Sequence, residues 1–148
     1  AFRLSIMGTS NEIRVIDYKT GKVDTLKFTQ VEDVFNSELG NKRPSYALQT
    51  MLYAWFYMRE YGTAQGKRIV PYIASLRSFY SDEPLKGLMV AEGKTSVPLT
   101  DYAEWDDKFE NALRHFLENT IFAPDVKFSQ TEDSKTCEYC PFVELCGR

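Results

Sequence analysis

An aspartate and a lysine two residues apart close an apolar segment near the start of the chain. They belong to Asp17-Tyr18-Lys19-Thr20-Gly21, which follows the apolar residues 13–16. On a β-strand, residues two apart point to the same face, so this carboxylate and ammonium would lie side by side. Such a carboxylate can hold a divalent cation, and the ammonium can orient an attacking water or offset charge on a phosphate. The pair alone is equally typical of a solvated strand end.

A glutamine and a tyrosine four residues apart, Gln49 and Tyr53, lie in the most apolar helix that the sequence predicts. This helix spans residues 45–61, opens after Pro44 and ends at Gly62. Residues four apart share one helix face. A buried glutamine without a hydrogen-bond partner costs about 1–3 kcal/mol, so Gln49 requires a polar partner or an open cleft. The alternative is a surface glutamine beside a core tyrosine.

Three cysteines, Cys137, Cys140 and Cys146, lie within the last twelve residues with the spacing C-x₂-C-x₅-C. Tight spacing of this kind is typical of thiolates that bind a metal or an iron–sulfur cluster, and an odd number excludes a complete disulfide framework. Structural zinc sites and iron–sulfur clusters usually take four thiolates, and only three are present. The alternative is three inert thiols.

The elements that would position these residues begin with a hairpin. The sequence predicts strands over residues 2–7 and 12–19 joined by a turn centred on residues 9–10, which places Phe2 opposite Asp17. A magnesium site on this hairpin needs a second acid there, because one carboxylate holds Mg²⁺ poorly. The patterns further predict strands over residues 23–28, 69–79 and 85–91, a short helix opened by Thr29, and an amphipathic helix over 101–118 with its acids in solvent.

The whole chain has 148 residues, of which 43% are hydrophobic and 14% aromatic. This composition argues against disorder and predicts a single domain over residues 1–148. The net charge of −3 excludes a generally basic nucleic-acid binder, although the basic residues concentrate in the first half.

There is no signal-peptide pattern and no apolar stretch of about 18 residues, so no membrane association and a cytoplasmic location are expected. Because Ala1 leads almost directly into a strand, we expect the C-terminal part of a larger protein.

In this order, the three motifs resemble the PD-(D/E)XK nuclease superfamily, in particular its RecB-like, AddB-like and CRISPR-associated exonuclease branch. The matches are the D-x-K strand at residues 15–21, the Q-x₃-Y pair Gln49 and Tyr53, and the terminal C-x₂-C-x₅-C, which together span nearly the whole chain. The resemblance implies an α/β (α+β) fold with a restriction-endonuclease-like mixed sheet flanked by helices. It also implies hydrolysis of DNA phosphodiesters with Mg²⁺ or Mn²⁺, in DNA repair or recombination, beside a helicase domain or subunit.

The resemblance further implies a role for each motif residue. Asp17 and the main-chain carbonyl of Tyr18 would bind the metal, Lys19 would act on the water or the transition state, and Gln49 and Tyr53 would support the active site. The three cysteines, Cys137, Cys140 and Cys146, would be ligands of a [4Fe–4S] cluster, in preference to zinc, that staples residues 137–146 to the domain.

Two departures from the family pattern leave other functions open. The family's first acid belongs to a G-x-(I/V)-D-R motif, where this chain has Ala1-Phe2-Arg3-Leu4, and the fourth cluster cysteine normally lies further upstream. A catalytically inactive nuclease-fold module that binds DNA or a partner protein is therefore the first alternative. A small zinc- or cluster-stapled interaction domain with an accidental Asp-x-Lys is the second.

Overall fold

Two β-sheets and three helices make up the described part of the chain. The computed structural model describes residues 4–8, 11–23, 26–62, 66–78, 80, 84–125, 127, 129–132 and 134–147. The strands are β1 (Leu4–Gly8), β2 (Glu12–Lys19), β3 (Lys27–Phe28), β4 (Arg68–Ser75), β5 (Leu85–Gly87), β6 (Met89–Glu92) and β7 (Thr95–Pro98). The helices are α1 (Ser45–Tyr61), α2 (Asp106–Phe116) and the short α3 (Ser134–Cys137).

Both sheets are mixed. The first has the order β1-β2-β4-β5, in which β2 and β4 are parallel and the two outer pairs are antiparallel. The second has the order β3-β6-β7, with β3 parallel to β6 and β7 antiparallel to it. Parallel neighbours require a long crossover, and α1 supplies it between β2 and β4 while packing on both strands. The predicted α+β class with a mixed sheet flanked by helices is confirmed.

The chain divides into two compact units, Ala1–Phe116 and Leu117–Arg148. The first unit contains both sheets, α1 and α2, and the second contains a π-helical turn at Leu117–Ile121 and α3. Among the residues that the structure describes, no helix has the length and apolar character that crossing a bilayer requires.

The central strand β2 begins and ends where the sequence predicts. Its alternating β-branched residues favour an extended chain, and Ile13, Val15 and Ile16 are all buried. Burial on both faces is typical of a parallel strand in the middle of a sheet. The same burial extends to Asp17, which is only 1% exposed although it carries a carboxylate.

The hairpin register differs from the prediction. Leu4, not Phe2, lies opposite Asp17, and Gly8 pairs with Ile13 as the last pair before the turn. The turn centre is therefore one residue later than predicted, which shifts each pairing by two residues. Phe2 itself lies outside the described residues. The position opposite Asp17 thus has a residue without a carboxylate in either register.

Helix α1 has the predicted bounds. Its C-terminal Gly62 has a φ of 71° and donates its N–H to the Met58 carbonyl at 2.8 Å, which is a typical helix end. Burial is restricted to a stripe of Ala47, Thr50, Met51 and Ala54. Two of these side chains are small, so the helix axis can lie close to the sheet while the large aromatic side chains flank the contact. Phe56, on another face, is 55% exposed.

Tertiary contacts also change several other predicted elements. Residues 85–91 form two strands in different sheets, separated by the fully buried Leu88, whose carbonyl accepts a hydrogen bond from the Leu99 N–H at 2.8 Å. Strand β4 ends at Ser75 and continues as a 3₁₀ helix, Leu76–Ser78. In the predicted strand 23–28, only Lys27–Phe28 are extended among the described residues, and β7 was not predicted at all.

An ion-pair network joins α1 to α2 and corrects the predicted exposure of Asp106, whereas Glu104 and Asp107 are exposed as predicted. Arg59 contacts both Asp106, at 2.9 Å, and Glu110, and Asp106 is 6% exposed. Glu110 also accepts hydrogen bonds from the Trp55 ring N–H at 3.4 Å and from Arg114 at 3.1 Å. Asp106 and Glu110 therefore hold the two helices together, because an apolar interface can bury a carboxylate when an arginine pairs with it.

The network sets the direction of two pKa shifts. The hydrogen bond from Arg59, followed by that from Trp55, lowers the pKa of Glu110. Burial, followed by the negative charge of Asp106, raises the pKa of Tyr102. A carboxyl group with a lowered folded-state pKa stabilises the fold above its unfolded-state pKa, and this contribution disappears as the pH falls through the folded-state pKa.

We predict that Glu110→Gln reduces the acid sensitivity of the fold. The wild type loses the Glu110 contribution as the pH falls below about 4, near the ordinary pKa of a glutamate, whereas the variant has none to lose. Urea unfolding at a series of pH values from 7 to 3 measures this, with the exposed Glu104→Gln as the matched control. Equal pH dependence of the free energy of unfolding in wild type and Glu110→Gln would contradict it.

Candidate active site

The structure places Asp17 and Lys19 side by side at the C-terminal end of β2. The Lys19 Nζ lies 2.8 Å from Asp17 Oδ2, and the exposed fractions of the two side chains are 16% and 2%. Two residues apart on one strand, they share the face of the sheet that α1 covers. The strand position therefore buries a carboxylate and supplies its counter-ion from the same strand.

Helix α1 brings Gln49 and Tyr53 to the same place. The Lys19 ammonium donates a hydrogen bond to Gln49 Oε1, and Gln49 Nε2 donates to the Tyr53 hydroxyl at 2.8 Å. The polar partner that a glutamine in an apolar helix requires is thus the lysine of the strand. Asp17, Lys19, Gln49 and Tyr53 form one continuous polar chain between the sheet and the helix.

Tyr46 is a further member of this cluster that the sequence analysis did not single out. The Lys19 Nζ lies 5.2 Å from the centroid of its ring, within the range of a cation–π interaction. Tyr46, Gln49 and Tyr53 are spaced i, i+3 and i+7, so they form a stripe along one side of α1. That spacing was the available signal, but a tyrosine in an apolar helix is more often part of the core.

The loop after Lys19 is held by the neighbouring strand. Ser75 lies directly opposite Lys19 on β4, is 3% exposed, and its hydroxyl donates to the Gly21 carbonyl at 3.2 Å. This hydrogen bond fixes the start of the loop immediately beyond the ion pair. The end of β2 is thereby held by β4 as well as by α1.

The Asp17 carboxylate is the side chain of this site that could bind a divalent cation. Asp17 Oδ2 is buried and accepts no well-aligned hydrogen bond from the described residues, its contact with Lys19 being an ion pair. A buried carboxylate oxygen of this kind fits a hard cation such as Mg²⁺. The described residues contain no group of three or more His, Cys, Asp or Glu side chains that could hold a metal ion. The main chain of Tyr18, opposite Ala74, is the neighbouring source of an oxygen ligand.

The three cysteines belong to the second unit, Leu117–Arg148. Cys137 ends α3, and successive turns follow, in which the Cys140 N–H donates to the Cys137 carbonyl at 3.1 Å and the Cys146 N–H donates to the Phe142 carbonyl at 3.1 Å. The side-chain amide of Gln130 donates to the Cys146 carbonyl at 2.6 Å. None of the three cysteines forms a disulfide within the described residues, and Cys146 is exposed whereas the other two are half-buried. Their role as cluster ligands stays a prediction.

Comparison with known proteins identifies the family. No curated protein and no solved structure matches the chain. A family model described as the PD-(D/E)XK nuclease superfamily matches residues 3–147, which is almost the entire sequence. The mixed sheets with flanking helices are consistent with the restriction-endonuclease-like fold of that superfamily, whose members hydrolyse phosphodiester bonds and typically use divalent metals. The chain therefore belongs to the PD-(D/E)XK nuclease superfamily.

Proposed function

We propose that the chain is a metal-dependent DNA nuclease domain of the RecB-like, AddB-like and CRISPR-associated exonuclease branch. In this proposal it acts in the cytoplasm, in DNA repair or recombination, as part of a larger protein with a helicase domain or subunit. The observation that carries the nuclease assignment is the polar chain from Asp17 through Lys19 to Gln49 and Tyr53. An accidental Asp-x-Lys would have no reason to meet a glutamine thirty residues away.

The proposed metal ligands are the Asp17 carboxylate and the Tyr18 main-chain carbonyl. A Mg²⁺ or Mn²⁺ ion bound there would polarise the scissile phosphate and lower the pKa of a bound water. Support comes from the buried Asp17 Oδ2, whose contact with the Lys19 ammonium at 2.8 Å is an ion pair without a well-aligned hydrogen bond. A carboxylate oxygen in a nearly water-free position favours a cationic neighbour over an apolar one.

Lys19 is the proposed electrostatic catalyst. Its ammonium lies where charge develops as water attacks a phosphodiester held beside Asp17, and its three N–H groups can serve more than one acceptor. In the described structure the ammonium donates a hydrogen bond to Gln49 Oε1 and forms an ion pair with Asp17 Oδ2. These contacts hold the ammonium at the carboxylate before a substrate arrives, so little reorganisation is needed.

Gln49 and Tyr53 are proposed to position Lys19. The amide oxygen of Gln49 accepts a hydrogen bond from the Lys19 ammonium. Gln49 Nε2 donates to the Tyr53 hydroxyl at 2.8 Å, which holds the other end of the amide. Because an ammonium can only donate, Lys19 requires the amide oxygen, and the amide N–H group is left to donate to the Tyr53 hydroxyl. The aromatic ring of Tyr46 supports the ammonium from another side.

The inactive nuclease-fold module remains the second candidate, and one observation favours it. Leu4 is registered opposite Asp17, where a second carboxylate would strengthen a metal site. Such a module would bind DNA or a partner protein without metal and without cleavage. The two candidates differ in what the full-length protein does when Mg²⁺ or Mn²⁺ is added.

We predict that Lys19→Ala abolishes cleavage by the full-length protein, and that it lowers the melting temperature without unfolding the domain, because Asp17 loses its counter-ion. Loss of one preorganised donor of this kind costs about 10²–10³-fold in kcat. Single-turnover cleavage of a labelled oligonucleotide with Mg²⁺ or Mn²⁺ measures it, with thermal unfolding as the check on the fold and the exposed Lys42→Ala as control. Undiminished cleavage by Lys19→Ala would show that the catalytic assignment is wrong, and DNA binding without cleavage by the wild type would favour the inactive module.

We predict that Tyr46→Leu lowers kcat and that Tyr46→Phe does not. Phenylalanine keeps the ring face that attracts the Lys19 ammonium, whereas leucine keeps only the bulk. A cation–π interaction of about 0.5–2 kcal/mol corresponds to a decrease of about 2- to 30-fold. Measuring kcat and KM separately distinguishes this effect from substrate binding, and equal activity of the two variants would exclude the aromatic ring as the relevant feature.

We further propose that Cys137, Cys140 and Cys146 are three ligands of a [4Fe–4S] cluster in the intact protein. The C-x₂-C-x₅-C spacing supports this, as does the hydrogen bond from the Cys140 N–H to the Cys137 carbonyl, which places these two residues on one turn. We predict about four iron and four sulfide per full-length chain purified without oxygen, falling sharply in Cys140→Ala. Exposed Ser134→Ala is the control, and zinc in place of iron would contradict the cluster.

A further inference from the structure

A groove about 360 Å³ in volume opens between the segment that precedes β3 and the edge strand β5. Its apolar surface comes from Val23, Leu26, Leu85 and Met89. Two lysines, Lys27 on β3 and Lys86 on β5, also line it. We call this feature the lysine groove.

The lysine groove is in register with the candidate active site. Asp17 is paired with Ile73 on β4, and Ile73 is paired with Lys86 on β5, so the three residues form one transverse row across the sheet. Paired residues on adjacent strands point to the same face. Asp17 and Lys86 therefore share a face and lie two strand spacings apart, which is about 10 Å.

The chain itself also connects the two places. Val23, which lines the groove, follows Lys19 by only four residues. The Ser75 hydroxyl holds the Gly21 carbonyl between them at 3.2 Å. The segment that leaves the active site thus runs directly to the wall of the groove.

The described residues that line the groove include two positive charges and no negative charge. Lys27 and Lys86 are both exposed, and in the described part of the chain neither ammonium forms an ion pair with a carboxylate. By contrast, Lys19, Arg59 and Arg114 all do. None of the groove residues that the structure describes is acidic. Two uncompensated ammonium groups beside an apolar surface match a nucleic-acid strand, which carries phosphates along one edge and apolar base and sugar surfaces along the other.

We propose that Lys27 and Lys86 bind a backbone phosphate of the substrate strand next to the phosphate that is cut, and so hold the strand across the end of β2. This proposal rests on the nuclease function proposed above. It assigns the lysine groove as a substrate-binding site separate from Asp17 and Lys19. The lysines act as point charges on the phosphate, whereas the apolar surface accepts whatever base follows, so the site is independent of sequence.

The first test is the salt dependence of binding, measured without a divalent metal so that cleavage does not interfere. For a single-stranded oligonucleotide, each lost phosphate contact reduces the slope of log K against log salt by about 0.7. We expect such a decrease for Lys27→Ala and for Lys86→Ala. We expect none for the control Lys94→Ala, an exposed lysine in the turn between β6 and β7. Unchanged affinity and slope in both groove variants would overturn the proposal.

The second test locates the contacted phosphate. Oligonucleotides with one neutral methylphosphonate at successive positions are bound to wild type and to the double variant Lys27→Ala/Lys86→Ala. If the two lysines contact one phosphate, neutralising that phosphate weakens the wild type several-fold and leaves the double variant unaffected. Mapping the cut in the wild type with Mg²⁺ then shows whether this phosphate neighbours the cut one. Additive effects at every position, or a contact far from the cut, would overturn the proposal.

These outcomes separate the groove from the nuclease function on which it rests. If the wild type cleaves normally and neither Lys27→Ala nor Lys86→Ala changes nucleic-acid binding, only the proposal for the groove is overturned. If binding depends on both lysines but the wild type never cleaves, the proposed nuclease function is overturned. The groove would then bind a strand, but not next to a cut phosphate. A wild-type protein that binds no nucleic acid would overturn both.

Discussion

The buried carboxylate of Asp17 is the constraint on which the other features of the site depend. A carboxylate that is 1% exposed loses nearly all its hydration, and the fold tolerates this only if a counter-ion and polar groups replace the water. Lys19 supplies the counter-ion from the same strand. The lysine must in turn be held, and its partner Gln49 comes from a helix thirty residues away. Charge compensation at the strand end therefore requires that α1 docks in one particular orientation.

That orientation is also the one that the apolar core requires. Ala47, Met51 and Ala54 face the sheet from one side of α1, and Tyr46, Gln49 and Tyr53 form the adjacent stripe. A rotation of the helix about its axis would separate Gln49 from Lys19 and would also lift the small residues off the sheet. Packing and site geometry are thus a single requirement, and the Arg59 network with Asp106 and Glu110 stabilises the same arrangement from the far end of α1.

The sequence predicted those parts of the structure that local patterns determine. Strand β2 and helix α1 have strong periodic patterns and clear end signals, and both bounds agree with the structure. The cost of burying an amide predicted that Gln49 needs a polar partner or an open cleft, and the family resemblance placed it at the active site, whereas only the structure shows that its partner is Lys19. Three predictions were wrong: the hairpin register, the single strand over residues 85–91 and the exposure of Asp106. Turn length and tertiary partners decide these features. Tyr46 was missed because only its distance from Lys19 distinguishes it from a core tyrosine.

The single acid of the site has a consequence for how a metal could bind. In the described structure the one negative charge of Asp17 is already balanced by the ammonium of Lys19, and the residue registered opposite is Leu4. Adding a divalent cation beside Lys19 leaves an excess of positive charge in a region of low dielectric constant, where repulsion is strong. A phosphodiester relieves this excess because it brings negative charge to both groups at once. A site with this composition should therefore bind the cation and the nucleic acid cooperatively, whereas a site with two or three carboxylates can bind the cation alone.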